Sequence, residues 1–355
     1  MPKSRSTRSI GLVGAFSLAA LACSGAPAAT GAGPSASASS PATGASASDM
    51  ASPSPVAPST TFVFGRNDPV VTRSLTGIDE SYMNPGAVIE HEGTLHMFAN
   101  VFTSWPGHMV VPHLTSADGL AWTLAASEPA LTSDDIPFAD PGMDVSTGFI
   151  REDGAWVLIF ETVDIVDPWV LGMATAPGPD GPWTVRPEPI LEPGPEGSFD
   201  AGGLSWPSVI STTAGFAMYY TAVDRPRGPT VIALATSPDG VAWTKHPTPV
   251  LEAAMRWEAR KVDRPRVAVT PGGIAMVYAG GRLTDRGLAW SDDGIAWRRD
   301  GERPVITKDD FPVPGQAWDA ALHVRGDELL YYLEIGVAAG ANASTDVYLA
   351  TAEVP

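Results

Sequence analysis

At 355 residues and 44% hydrophobic content the chain has material for a large core, and its single cysteine excludes an internal disulfide framework. Forty acidic against 22 basic residues give a formal net charge of −18, which argues against nucleic acid as a partner, because phosphate contacts need clustered Lys and Arg. That balance suits a neutral or cationic ligand, or simply keeps the surface solvated.

The N-terminus reads as an export signal. Lys3, Arg5 and Arg8 make a positive start, and Ile10 to Ala22 form a short apolar stretch ending in small residues. That run is too short for a membrane span, which needs about 20 apolar residues. Cys23 follows Ala19-Ala-Leu-Ala22, which resembles a bacterial lipobox, although Leu is more usual where Ala20 stands. The expectation is a signal peptide over 1–22 and lipidation at Cys23, the alternative being an ordinary cleaved signal and a secreted protein. Residues 23–60 are almost wholly Ala, Ser, Gly, Pro and Thr and read as a disordered tether, since they bury too little to offset their ordering entropy. Residues 61–355 are expected to form one folded domain outside the cytoplasm, touching a membrane only through its anchor.

Thr60-Thr-Phe-Val-Phe64 opens that domain as a strand without a sheet of its own. Pairs of extended runs joined by a Gly turn then recur. They are Pro85–Ile89 with Leu95–Phe98, Gly148–Ile150 with Trp156–Phe160, Pro207–Ile210 with Phe216–Tyr220, and Pro265–Val269 with Ile274–Tyr278. A fifth pair, Ala321–Val324 with Leu329–Leu333, is followed by one more strand, about Asp346 to Ala352. After each of the first four comes a box: Ser116-Ala-Asp-Gly-Leu-Ala-Trp122, Pro179-Asp-Gly-Pro-Trp183, Ser237-Pro-Asp-Gly-Val-Ala-Trp243 and Ser291-Asp-Asp-Gly-Ile-Ala-Trp297. Their tryptophans step by 61, 60 and 54 residues, and about seven residues after each lies a Pro with an aliphatic pair. A fixed period of this size marks a repeat architecture, and an Asp-Gly turn between apolar runs marks a hairpin. The fold class predicted is all-β: a five-bladed β-propeller in which the N-terminal strand completes the last blade and leaves no open edge.

Inner strands of such a ring converge on an axis, so polar residues just ahead of each are the site candidates. These are Asp79, Glu80 and Asn84 for the first blade, and Asp144 for the second. Asp200 and Trp206 serve the third, Asp263, Arg264 and Arg266 the fourth, and Trp318 with Asp319 the fifth. Asp144 and Asp319 end similar segments, so both either act at the axis or cap turns. Glu161 and Glu334 are embedded in the apolar ends of second strands, where an acid is either paired with Arg or raised in pKa. The loops carrying Trp105 and Trp169 are sugar platforms on the funnel rim or plain loop packing. The six His show no HExxH spacing, so neither metal nor cofactor is expected, and His108 and His113 read as surface residues of a long loop.

Over roughly residues 60–355 the chain resembles the five-bladed propeller glycosidases: the arabinanase and β-xylosidase group, the invertase and levansucrase group, and the mannosyl-phosphorylase group. The resemblance rests on blade count, the Ser-x-Asp-Gly-x-x-Trp box and Met83-Asn-Pro-Gly86. The box also resembles sialidase Asp-boxes, which place one more residue between Asp and Trp. The resemblance implies a carbohydrate in the central funnel and glycoside hydrolysis or phosphorolysis by carboxylates. Members of this clan have an Asp at the start of the first inner strand, where this chain has Asn84, an amide that cannot act as base or nucleophile. Their second Asp is matched by Asp144. Their Glu proton donor falls where this chain reads Leu204-Ser-Trp-Pro207, with Asp200 a few residues earlier. The phosphorylase group shares Asn-Pro and needs basic residues for phosphate, a role for Arg264 and Arg266 unless these form an exposed basic edge with Arg260 and Lys261.

The catalytic candidates are therefore Asp144 with one of Asp79, Glu80, Asp200 or Asp263. The substrate-binding candidates are Asn84, Trp206, Arg264, Arg266, Trp318 and Asp319. The rival expectation is a non-catalytic propeller that binds glycan or protein at the cell surface, or one whose funnel is plugged by side chains. A monomer is expected.

Overall fold

A computed structural model describes residues 58–78, 80–163, 168–337 and 343–354. The export signal, Cys23, the tether and Asp79 lie outside the described residues.

Strand β1 (Val63–Phe64) precedes five sheets. The first blade holds β2 (Tyr82–His91), β3 (Thr94–Phe102), β4 (Met109–Val111), β5 (His113–Ser116), β6 (Thr123–Leu124) and β7 (Leu131–Thr132). The second holds β8 (Met143–Ile150), β9 (Trp156–Thr162), β10 (Leu171–Ala176) and β11 (Thr184–Val185). The third comprises β12 (Gly203–Thr212), β13 (Gly215–Val223), β14 (Thr230–Ser237) and β15 (Thr244–Lys245). The fourth comprises β16 (Asp263–Thr270), β17 (Gly273–Ala279), β18 (Arg286–Ser291) and β19 (Arg298–Arg299). The fifth has only β20 (Gln316–Arg325), β21 (Glu328–Val337) and β22 (Ser344–Glu353) of its own. β1 supplies its outer strand, pairing Val63 with Thr351 and Phe64 with Ala350. The five-bladed propeller and its closure by the N-terminal strand are as the repeats predict.

The middle strands are apolar on both faces because each lies between two neighbouring blades. Met218 and Tyr220 of β13 pack toward the second blade, while Tyr219 between them packs toward the fourth. The two-residue period of a strand makes this alternation unavoidable. Five such clusters separate the blades, the one between the first and last blades joining Leu95 and Met97 to Leu330 and Tyr332. The boxes lock these interfaces. In the first, Asp118 accepts from the backbone N–H groups of Leu120 and Ala121, and Trp122 Nε1 donates to the Gly119 carbonyl at 3.1 Å. The Tyr332 hydroxyl of the last blade reaches the same carbonyl at 3.2 Å. Tyr219 does likewise at Gly294 of the fourth box, at 3.0 Å.

His113 departs from expectation. It lies on β5, buried between blades, with its ring 4.6 Å from that of Phe98 and its Nε2 2.9 Å from His96 Nδ1. Burial, with His96 beside it, lowers its pKa to about 4. His108 is exposed, as expected, and sits 3.6 Å from Asp134.

Candidate functional site

Every inner strand breaks register near its start. The shift falls between Asn84 and Ala87, Val145 and Thr147, Ser205 and Ser208, Asp263 and Arg266, and Ala317 and Ala320. Such bulges turn side chains out of the pleat and toward the axis. Three place a residue in the left-handed region: Gly86 (φ 57°), Trp206 (φ 49°) and Arg264 (φ 50°). At Gly86 a Cβ would meet the Phe98 carbonyl oxygen at 2.0 Å, so only glycine fits. Trp206 and Arg264 hold a strained conformation that costs on the order of 1–3 kcal/mol each, a kind of strain that clusters at functional sites.

Five carboxyl groups gather where these bulges meet. Asp144 pairs in register with Glu161 in the second blade, and Asp319 sits in the bulge opposite Glu334 in the fifth. The same acid pair thus recurs across the ring, and the segment echo ahead of Asp144 and Asp319 reflects it. Asp319 is the hub. Its Oδ1 lies 3.3 Å from Arg266 Nη2 and 3.5 Å from Arg264 Nε, and its Oδ2 accepts from Trp206 Nε1 at 3.2 Å. Arg264 also pairs with Asp263 at 3.2 Å and lies 3.6 Å over the Trp206 ring. Both arginines are buried, so neither belongs to an exposed basic edge.

The acids differ in environment. Asp144 is buried beneath Asn84, whose amide donates to both its oxygens at 3.3 and 3.2 Å. Burial, with Asp319 and Glu161 nearby, raises Asp144 well above the ordinary carboxylate range. Burial and Asp319 push Glu161 up to about 8, although Arg266 and the Ser146 hydroxyl at 2.9 Å oppose the rise. Burial and Asp319 likewise push Glu334 up to about 8, against the Asp319 backbone N–H that it accepts at 3.1 Å. Among the described residues neither glutamate has an Arg within ion-pair distance, and the more distant pull of Arg266 on Glu161 and Arg264 on Glu334 does not overcome burial, so the raised pKa is the reading that fits. Burial also raises Asp263, with Arg264 opposing.

Above this floor opens a cavity of about 400 Å³. Of the sequence candidates, Asn84, Arg264, Trp318 and Asp319 line it, and Glu334 joins them although only 4% exposed. Tyr82, Phe102, Trp105, Thr103, Ser104 and Thr345 complete the wall. Asp144, Asp263 and Arg266 are buried and do not reach the cavity, and Trp206, half-buried, is not part of its wall. Arg266 spends its donors on the carbonyls of Trp206, Pro207, Pro265 and Ala320, tying the third, fourth and fifth blades together. Glu80 stands at the rim, accepting from the Thr103 hydroxyl. Asp200 is not part of the cluster. Burial would raise its carboxyl, but Lys245 and Ser198 more than offset this and hold it below the ordinary range.

Sequence reasoning missed Asn100, whose amide donates to Asn84 Oδ1 at 2.7 Å and thereby orients Asn84 toward Asp144. It also missed Thr345, which supports Met83 at 2.8 Å, and Arg286, which donates to the Trp318 carbonyl at 2.7 Å. A polar residue inside an apolar second strand was the available signal for Asn100. Arg286 carries no comparable mark.

No protein-family model matches the chain, and no curated protein matches it. Solved structures do. A family 117 glycoside hydrolase from the marine bacterium Zobellia galactanivorans is 15% identical, with a TM-score of 0.62 over 83% of this chain and 90% of its own. A GH43 enzyme from Xanthomonas citri, complexed with xylose, is 18% identical, with a TM-score of 0.57 over 80% and 89%. A structure described within the GH130 family of mannoside phosphorylases, which contains hydrolases that target β-1,2-mannosidic linkages, is 17% identical, with a TM-score of 0.54 over 76% and 84%. The chain therefore shares the five-bladed propeller fold of these glycoside hydrolases and phosphorylases, as a divergent example of it.

Proposed function

We propose that the propeller binds a carbohydrate in its central funnel. The observation that carries this reading is the cavity wall, where Tyr82, Phe102, Trp105 and Trp318 stand beside Asn84, Arg264, Asp319 and Glu334. Aromatic faces take the apolar faces of sugar rings, while a few fixed polar groups hold hydroxyls. The fold it shares with carbohydrate-active enzymes, one of them solved with xylose, supports the same ligand class. The N-terminal signal and Cys23 support an exported protein held at the cell surface by lipid.

One observation favours a catalytic form, glycoside hydrolysis or phosphorolysis. Glu334 lies on the wall with its pKa near 8, as a proton donor to a glycosidic oxygen requires, and Asp319 is the neighbouring carboxylate. Against it, Asp144 is shut beneath Asn84, and the Asp319 charge is already balanced by two guanidinium groups. Recognition is therefore the conclusion and catalysis the second reading.

The test is calorimetry with arabino-, xylo- and manno-saccharides, alongside turnover of the matching aryl-glycosides with and without phosphate. At least one saccharide should bind to wild type. If turnover is seen, Glu334→Gln should lower it by about a hundredfold or more, the usual worth of a positioned proton donor, with Asp144→Asn close to wild type. Failure of every saccharide to bind would remove the reading.

A further inference from the structure

We infer that the site takes a chain of sugars and that units beyond the cavity lie over Trp105 and Trp169. The inference rests on the carbohydrate reading above and extends it to ligand length. Aromatic rings run in a continuous file from the first blade to the third. Tyr82 stacks on Phe102 at 5.5 Å, Phe102 meets Trp105 at 5.9 Å, Trp105 meets Trp169 at 6.0 Å, and Trp169 meets Trp206 at 5.6 Å.

The file leaves the cavity at Trp105. Tyr82, Phe102 and Trp105 line it, whereas Trp169 does not, being half-buried against Phe102, Met109 and Val163. The cavity, at about 400 Å³, is near the lower end of the range for small-ligand pockets, so a longer ligand must project from it. Trp105 lies where that projection begins. It is 40% exposed and the one aromatic among the exposed large apolar side chains of the described residues. An exposed Val or Leu needs no explanation. An indole that walls a cavity, keeps a large open surface and abuts a second indole is a platform for the next ring of a polymer. Thr103 and Ser104, adjoining Trp105 on the same wall, donate from their hydroxyls to Glu80 and the Pro106 carbonyl and so present acceptor lone pairs at that exit.

The experiment compares xylose with xylotetraose, mannose with mannotetraose, and arabinose with arabinotetraose by calorimetry. Wild type, Trp105→Ala, Trp169→Ala and Trp105→Phe are used, with thermal unfolding as the folding control. For the sugar that binds, the tetrasaccharide should bind wild type about tenfold tighter than the monosaccharide, equivalent to about 1.4 kcal/mol. Both alanine variants should shrink that ratio to about twofold or less, and Trp105→Phe should keep an intermediate ratio. A ratio near one in wild type, or an undiminished ratio in both alanine variants, would overturn the inference while leaving carbohydrate binding intact. Absence of binding by monosaccharides and tetrasaccharides alike would remove the carbohydrate reading, and this inference with it.

Discussion

Two glutamates opposite two aspartates dominate the behaviour of the funnel floor. Glu161 and Glu334 are both pushed up to about 8, chiefly by burial. The native state thus keeps protons that the unfolded chain releases near the ordinary glutamate pKa of 4.5. Their contribution to stability is fully present below that pH and is lost as pH rises toward 8. Glu161→Gln should therefore gain in melting temperature relative to wild type between pH 5 and pH 8, measured by scanning calorimetry; a pH-independent gap would refute this. Asp319 has the opposite role, as the shared partner of two buried cations. Asp319→Ala should cost about 3–5 kcal/mol in chemical denaturation, because it leaves Arg266 with neutral partners alone and Arg264 with Asp263 as its one paired carboxylate. The two glutamates were legible in the sequence as acids inside apolar runs. The link from Arg266 to Asp319 was not, since it joins residues of different blades that no local spacing relates.

Strands and turns set where these residues point. The boxes and the turn glycines were readable because each is a local signal repeated at a fixed interval, and the outer strand of the last blade because it is the one strand without a sheet of its own. The bulges were not, since a register break is defined only against the partner strand. His113 was misread for a related reason. The segment after Trp105 looks like a long loop, yet β4 and β5 fold it back onto β3 and carry His113 inside. The N-terminal strand is held by a clasp away from its own pairing. Asp300 accepts from the Ser59 and Thr60 backbone N–H groups at 2.9 and 2.8 Å, and from the Ser59 hydroxyl. Asp300→Ala should lower stability by about 2 kcal/mol, the order of a lost hydrogen bond to a charged group, measured by urea denaturation. A loss indistinguishable from zero would show that β1 is held by its apolar contacts alone.

At the scale of the whole molecule, closure is the feature that matters. Phe62 packs among Tyr331 and Leu333, and β1 covers the edge of β22, so the ring depends on a segment far from the last blade in sequence. Deleting everything before Gly65 should expose the β22 edge and produce oligomers or aggregates in size-exclusion chromatography, because unpaired edges template further pairing. A truncated chain that stays a stable monomer would contradict this. The sequence by itself determined the blade count, the hairpin turns and the closing strand. The turns follow from short-range patterns of apolar residues, Gly and Trp, the blade count from their repetition, and the closing strand from the one strand left over at the front and the one missing at the end. Only the tertiary structure decided the site. It turned Asp200 away to Lys245, shut Asp144 beneath Asn84 and brought Glu334 to the cavity wall beside Arg264. Those side chains come from separate blades, and their directions depend on bulges and ring closure, which exist only once all five sheets have met.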